Sequence, residues 1–260
     1  MGLFDIFKKE MKEFQYCGSG EHLKNDDEMK AMNAEEADAA FKKYKKEILD
    51  VYMKEQGFDK YKTSSYVRLN KIGLIEYINL QKEQHGSRTF TVNIALFPLY
   101  APHLFITIGF GDRIGHFVDD NDFWWDYKDM DTARKSFGNV VCALNEYVLP
   151  WFEKHNDETL YEEELRNEKY RLGYDSIIWI THIFIKNNDI AGARNYIENI
   201  KDMNFYKEAT GGRKEYIDNK VKEMQEILAG LDDVKQYIAD VKKKNVTEFK
   251  LPAKMMENKK

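Results

Sequence analysis

Two cysteines in 260 residues, Cys17 and Cys142, cannot build a disulfide framework and behave as ordinary intracellular thiols. Long apolar runs are missing too. The longest, Ile177 to Ile185, is broken by Thr181 and His182 and falls far short of the ~18 residues a membrane-spanning helix needs. No membrane span is expected. Near Met1 no basic start leads into an apolar core and a small-residue cleavage site, so secretion is not signalled and a cytoplasmic location is expected. The Met-Gly start lacks the myristoylation pattern, because Ile6 stands where Ser or Thr is required. Catalytic signatures are also absent. There is no Gly-x-Ser-x-Gly elbow, no His-Glu-x-x-His pair and no Asp-x-Asp-x-Asp-Gly calcium loop. In Gly109-Phe110-Gly111-Asp112-Arg113-Ile114-Gly115 the third glycine comes one residue late for a dinucleotide loop, and no Lys-Ser or Lys-Thr pair follows. These glycines are expected to make a bulge or turn between strands. Neither a cofactor nor a metal is expected.

What is present is charge and rings. Charged residues make up 33%, yet aromatics reach 14%, with 16 Tyr, 16 Phe and 4 Trp, which excludes a disordered chain. The length is roughly 1.7 times a typical domain, and a body of this size buries roughly three quarters of its extended surface. The net charge is −5, but it is uneven. Residues 241–260 hold seven Lys against Glu248 and Glu257, a balance of +5 that leaves −10 for the rest. An acidic body repels phosphate backbones and attracts a basic protein, so no nucleic-acid partner is expected.

Periodicity divides the chain. Leu3, Phe4, Phe7, Met11 and Phe14 predict a short amphipathic helix over 1–16, docked on the protein's own body or on a partner. Residues 17–33 have linker composition. Asn33 with Glu36 forms a capping box for a helix whose stripe is Ala37, Ala40, Phe41, Tyr44, Ile48, Val51 and Tyr52, and which Gly57 stops. The period then falls to 2. Strands are predicted over Tyr66–Leu69, Leu74–Gln81, Phe90–Phe97 and Leu104–Gly109, with a fifth over Arg113–Val118. Turn chemistry at Asn70–Gly73 and His85-Gly86-Ser87 favours antiparallel hairpins.

From Asp131 the pattern is helical almost to the end, with Pro150 stopping one helix and Asp189 capping another after the Asn187–Asp189 turn. The fold class is therefore α+β: an N-terminal helix packed on an antiparallel sheet of four to five strands, then an all-helical C-terminal part. The expected divisions are 34–155 for the α+β domain, 156–243 for the helical region and 244–260 for a basic, flexible tail.

One segment concentrates unusual chemistry. Residues 112–126 hold Asp112, Arg113, His116, Asp119, Asp120, Asp122, Trp124 and Trp125. Trp is a preferred anchor of protein interfaces, and acidic rims steer basic partners, so these eight residues are the candidate partner-binding set. Plain packing of the tryptophans is the structural alternative. A metal- or small-molecule-dependent enzyme using His116 with Asp112, Asp119 or Asp122 is the chemical one. The other histidines lack a repeated partner spacing, and His182, in an apolar helix, fits a hydrogen-bonded core residue. Asn79, Gln81, Asn93 and Thr91 share one sheet face, either as solvent-facing strand residues or as a shallow hydrogen-bonding surface.

The order Gly57-Phe58, Tyr66-Val67-Arg68, Ile78-Asn79-Leu80-Gln81-Lys82 and Phe90-Thr91-Val92-Asn93-Ile94 resembles a bacterial family, domain of unknown function 4304. Arg113-Ile114-Gly115, Trp124-Trp125 and Pro150-Trp151-Phe152 continue the similarity, which spans about residues 35–155. The resemblance transfers no active-site residues. Some relatives resemble immunity proteins that neutralise polymorphic toxins, and that association is what the resemblance implies. With the acidic body and the missing catalytic motifs, the expectation is a non-catalytic protein-binding module that occludes a basic partner.

Overall fold

An alanine and aromatic stripe starts the described chain: α1 (Ala34–Tyr44) buries Ala37, Ala40 and Phe41. A π turn (Lys45–Leu49) follows and leads directly into α2 (Asp50–Glu55). One extra residue per turn rotates the stripe, so Leu49 and Met53 join Ile48 and Tyr52 in the core. Gly57, with φ of +79°, ends the run by donating its N–H to the Lys54 carbonyl. This computed structural model describes residues 34–102, 110–167 and 175–256. The expected helix over 1–16, the linker over 17–33, the Asn33 cap and the strand Leu104–Gly109 lie outside the described residues.

The sheet is antiparallel and belongs to an α+β fold. Its order is β1 (Asp59–Tyr61), β2 (Ser65–Leu69), β3 (Leu74–Lys82), β4 (Thr89–Pro98) and β5 (Phe110–Arg113), while β6 (Trp125–Asp126) pairs with the start of β4. β2, β3 and β4 match the period-2 segments within a residue or two. β1 and β6 are too short to carry an alternation, and pairing alone creates them: Tyr61 opposes Ser65, and Trp125 opposes Phe90. The fifth strand expected over Arg113–Val118 is instead a helix, α3 (Ile114–Val118). The strand is the preceding segment, because only a glycine at 111 lets the backbone press on β4, where a Cβ would come within 2.7 Å of Ala95 Cα.

The chain divides into two compact units. Of the described residues, the first takes 34–68, 76–95 and 111–154. Its core is a ring cluster: Phe41 lies 5.2 Å from Phe90, 5.0 Å from Tyr127 and 5.2 Å from Phe137, and Phe90 stacks on Phe137 at 5.0 Å. α4 (Met130–Ala143) supplies Phe137 and packs on α1. Asp129 caps it through a reciprocal box with Thr132. Pro150 was expected to stop this helix. It does not, because a second π turn (Leu144–Val148) comes first and sends the Leu149 N–H to the Leu144 carbonyl. Pro150, which has no N–H to give, then sits in the first turn of α5 (Leu149–Lys154), where none is needed.

The second unit takes 69–75, 96–102, 110, 155–167 and 175–256 of the described residues. α6 (Glu158–Arg166), α7 (Asp175–Lys186), α8 (Ile190–Glu198), the short α9 (Asn204–Glu208), α10 (Gly212–Ala229) and α11 (Val234–Phe249) make it almost entirely helical. α7 is the most apolar and packs against α6, α8, α10 and α11. Asp189 caps α8 as expected, its Oδ1 accepting from Gly192 N at 2.8 Å. His182 is a core residue with both ring nitrogens engaged, Nδ1 with the Ile178 carbonyl and Nε2 with the Tyr237 hydroxyl. Residues 244–256 were expected to be a flexible tail, but α11 continues to Phe249. Asn245, 1% exposed, donates to the carbonyls of Leu99 and Ala101, and Leu251 and Met255 are buried. Among the described residues no helix is long and apolar enough to cross a membrane.

Candidate functional site

All eight candidate residues sit in the first unit, on β5, α3, β6 and the loop 119–124 between them. Gly115 sets the loop's path. Its missing Cβ leaves room for the Asn121 carbonyl and for Phe123 N, which a Cβ would meet at 2.7 Å. Asp119 Oδ1 accepts from Asn121 N at 3.2 Å, and Asp120 takes a left-handed conformation with φ of +61°. The turn is thus tied at its base while Asp119, Asp120 and Asn121 face solvent.

The two tryptophans have different roles. Trp125 is half-buried beside the core, 6.0 Å from Phe90 and 6.2 Å from Phe123. Trp124, also half-buried, has Arg113 over its ring at 5.2 Å, and Arg113 Nη1 pairs with Asp122 Oδ2. Carboxylate, guanidinium and indole therefore form one half-buried stack with Asp122 at its exposed end. Below, Phe117 meets Trp151 edge-on at 5.1 Å.

His116 and Asp112 stand four positions apart and face each other without a hydrogen bond. Their closest approach is 3.9 Å, beyond hydrogen-bonding reach, and Asp112 Oδ1 instead accepts from Arg113 N at 2.8 Å. Asp119 and Asp120 have no basic partner among the described residues. Among the described residues no group of three or more His, Cys, Asp or Glu side chains is gathered closely enough to hold a metal ion.

Tertiary structure adds residues that spacing did not reveal. The second π turn packs on α3, and the Tyr147 hydroxyl is held above its ordinary pKa by desolvation, then by Glu146 and, more weakly, by Asp119 of the loop. Glu146 and Tyr147 both come from that turn, about 30 positions away in sequence. Of the polar sheet-face residues, Thr91 and Asn93 depart from the solvent-facing alternative, being 0% and 5% exposed, while Asn79 and Gln81 are half-buried.

Residues 49–154 match the family model described as domain of unknown function DUF4304. A search of the curated proteins found no match, and a search of the solved structures found none.

Proposed function

We propose that this chain, which carries the DUF4304 domain over residues 49–154, is a non-catalytic protein-binding module of the toxin-immunity type that occludes a basic partner. One observation carries the reading. The loop 119–124 is tied down at Gly115 and Asp119, and it presents Asp119, Asp120 and Asp122 as an exposed rim beside the half-buried Arg113–Trp124 stack. A pre-organised acidic rim around a flat indole suits a Lys- or Arg-rich protein surface, since little order has to be imposed on binding. Occlusion then needs no chemistry from this chain. Its −10 balance outside residues 241–260 supplies long-range attraction.

The test is co-expression with neighbouring open reading frames, followed by calorimetry on the recovered and sequenced partner. A basic protein should bind. Trp124→Ala should weaken the complex by about 2 kcal/mol while leaving the melting temperature near that of the parent. Recovery of no basic partner, or an unchanged affinity for the variant, defeats the reading.

A further inference from the structure

Alternate residues of β2, β3 and β4 bring six uncharged polar side chains to one side of the sheet in the first unit: Ser65, Tyr77, Asn79, Gln81, Thr91 and Asn93. They form a linked set. Ser65 Oγ shares a hydrogen bond with Tyr77 OH at 3.2 Å and accepts from Asn79 Nδ2 at 2.9 Å. Asn93 Nδ2 donates to Asn79 Oδ1 at 3.3 Å and to Gln81 Oε1 at 3.0 Å. Thr91 and Asn93 are the buried base of the set, and Tyr77, Asn79 and Gln81 are half-buried around them.

The set is incomplete. Among the described residues, Thr91 Oγ1 and Asn93 Oδ1 are buried and have no hydrogen-bond partner. Buried polar atoms are ordinarily satisfied, so two orphans on neighbouring same-face positions point to a missing group. Asn93 Oδ1 can only accept, whereas Thr91 Oγ1 donates and accepts. Hydroxyl groups meet both needs. The two residues lie about 7 Å apart along one strand face, a gap that hydroxyls on adjacent carbons bridge. No member of the set is charged, which disfavours an ion. The Tyr77 ring, set edge-on to Tyr61 at 6.4 Å, adds an apolar surface for C–H groups.

We propose that this face binds a neutral polyhydroxylated ligand, a sugar or cyclic polyol, through Thr91 and Asn93. The site is independent of the acidic loop. The probes are D-glucose, D-galactose, N-acetyl-D-glucosamine and myo-inositol at millimolar concentration, followed by NMR of the Asn and Gln side-chain amides. At least one probe should shift the Asn79, Gln81 and Asn93 signals saturably. Thr91→Val, which keeps the shape and removes the hydroxyl, should weaken that binding about tenfold and leave the melting temperature no lower. Thr91→Ser should retain binding. A flat response to every probe overturns the site, as does equal binding by Thr91→Val. A lowered melting temperature for Thr91→Val without any polyol response identifies a structural water and overturns it too.

Discussion

Asp50 gathers three donors from three different elements. Its carboxylate accepts from Lys45 at 2.9 Å, Lys60 at 2.8 Å and Tyr66 at 2.5 Å. Burial pushes its pKa up, but the three donors together outweigh burial and hold the group below the ordinary aspartate value of 3.8. A depressed folded-state pKa gives stability that is present above 3.8 and lost as pH falls through the folded value. The parent should therefore lose stability more steeply than Asp50→Asn on acidification below about pH 4, as read by urea unfolding at stepped pH. Glu76 behaves oppositely. It is 1% exposed, and burial raises its pKa despite the ion pair with Arg68. Arg68→Met should cost roughly 3 kcal/mol at neutral pH by stranding a buried charge. The loss should shrink at lower pH as Glu76 takes up a proton, and equal losses at both pH values would contradict this. Neither partner choice was legible in sequence, since Arg68 and Glu76 lie on different strands and the Asp50 donors come from a π turn and two strands.

Among elements, legibility followed length and local cause. β3, β4, α1, α4, α7, α8, α10 and α11 carry enough periodic positions to declare themselves, and Asp189 marks its helix start by local hydrogen-bond chemistry. The misses arise where a distant partner decides. Pro150 has the sequence signature of a stop, but the π turn before it removes the need for its N–H. Lys-rich composition made 244–260 resemble a tail, whereas one polar residue, Asn245, anchors α11 to two carbonyls that would otherwise lack this donor. Asn245→Ala should cost about 2 kcal/mol and lower the thermal midpoint. An unchanged midpoint would show that the two Asn245 hydrogen bonds add nothing to the second unit's stability.

For the whole molecule, the controlling quantity is charge distribution. If the acidic rim steers a basic protein, Asp119→Asn with Asp120→Asn should slow association and flatten its salt dependence, with little change in dissociation. Stopped-flow binding across a salt series measures this, and identical slopes for parent and variant would count against steering. Both side chains are exposed and make no ion pair among the described residues, so folding stability should stay within about 0.5 kcal/mol of the parent. The eight candidate residues were legible as a group because fifteen consecutive positions hold them. Their division of labour was not, because Trp125 turns toward the core and Trp124 toward Arg113 through backbone pairing that sequence does not encode locally.

By itself the sequence determined the α+β class, the principal strands and helices, and the acidic character of the body, because periodicity, capping and net charge are properties of neighbouring residues or of simple sums. Tertiary structure alone decided which polar groups are buried, which ion pairs form, and how the 112–126 segment is held. Each of those depends on atoms brought together from positions far apart in the chain, where burial and hydrogen-bond geometry outweigh local preference.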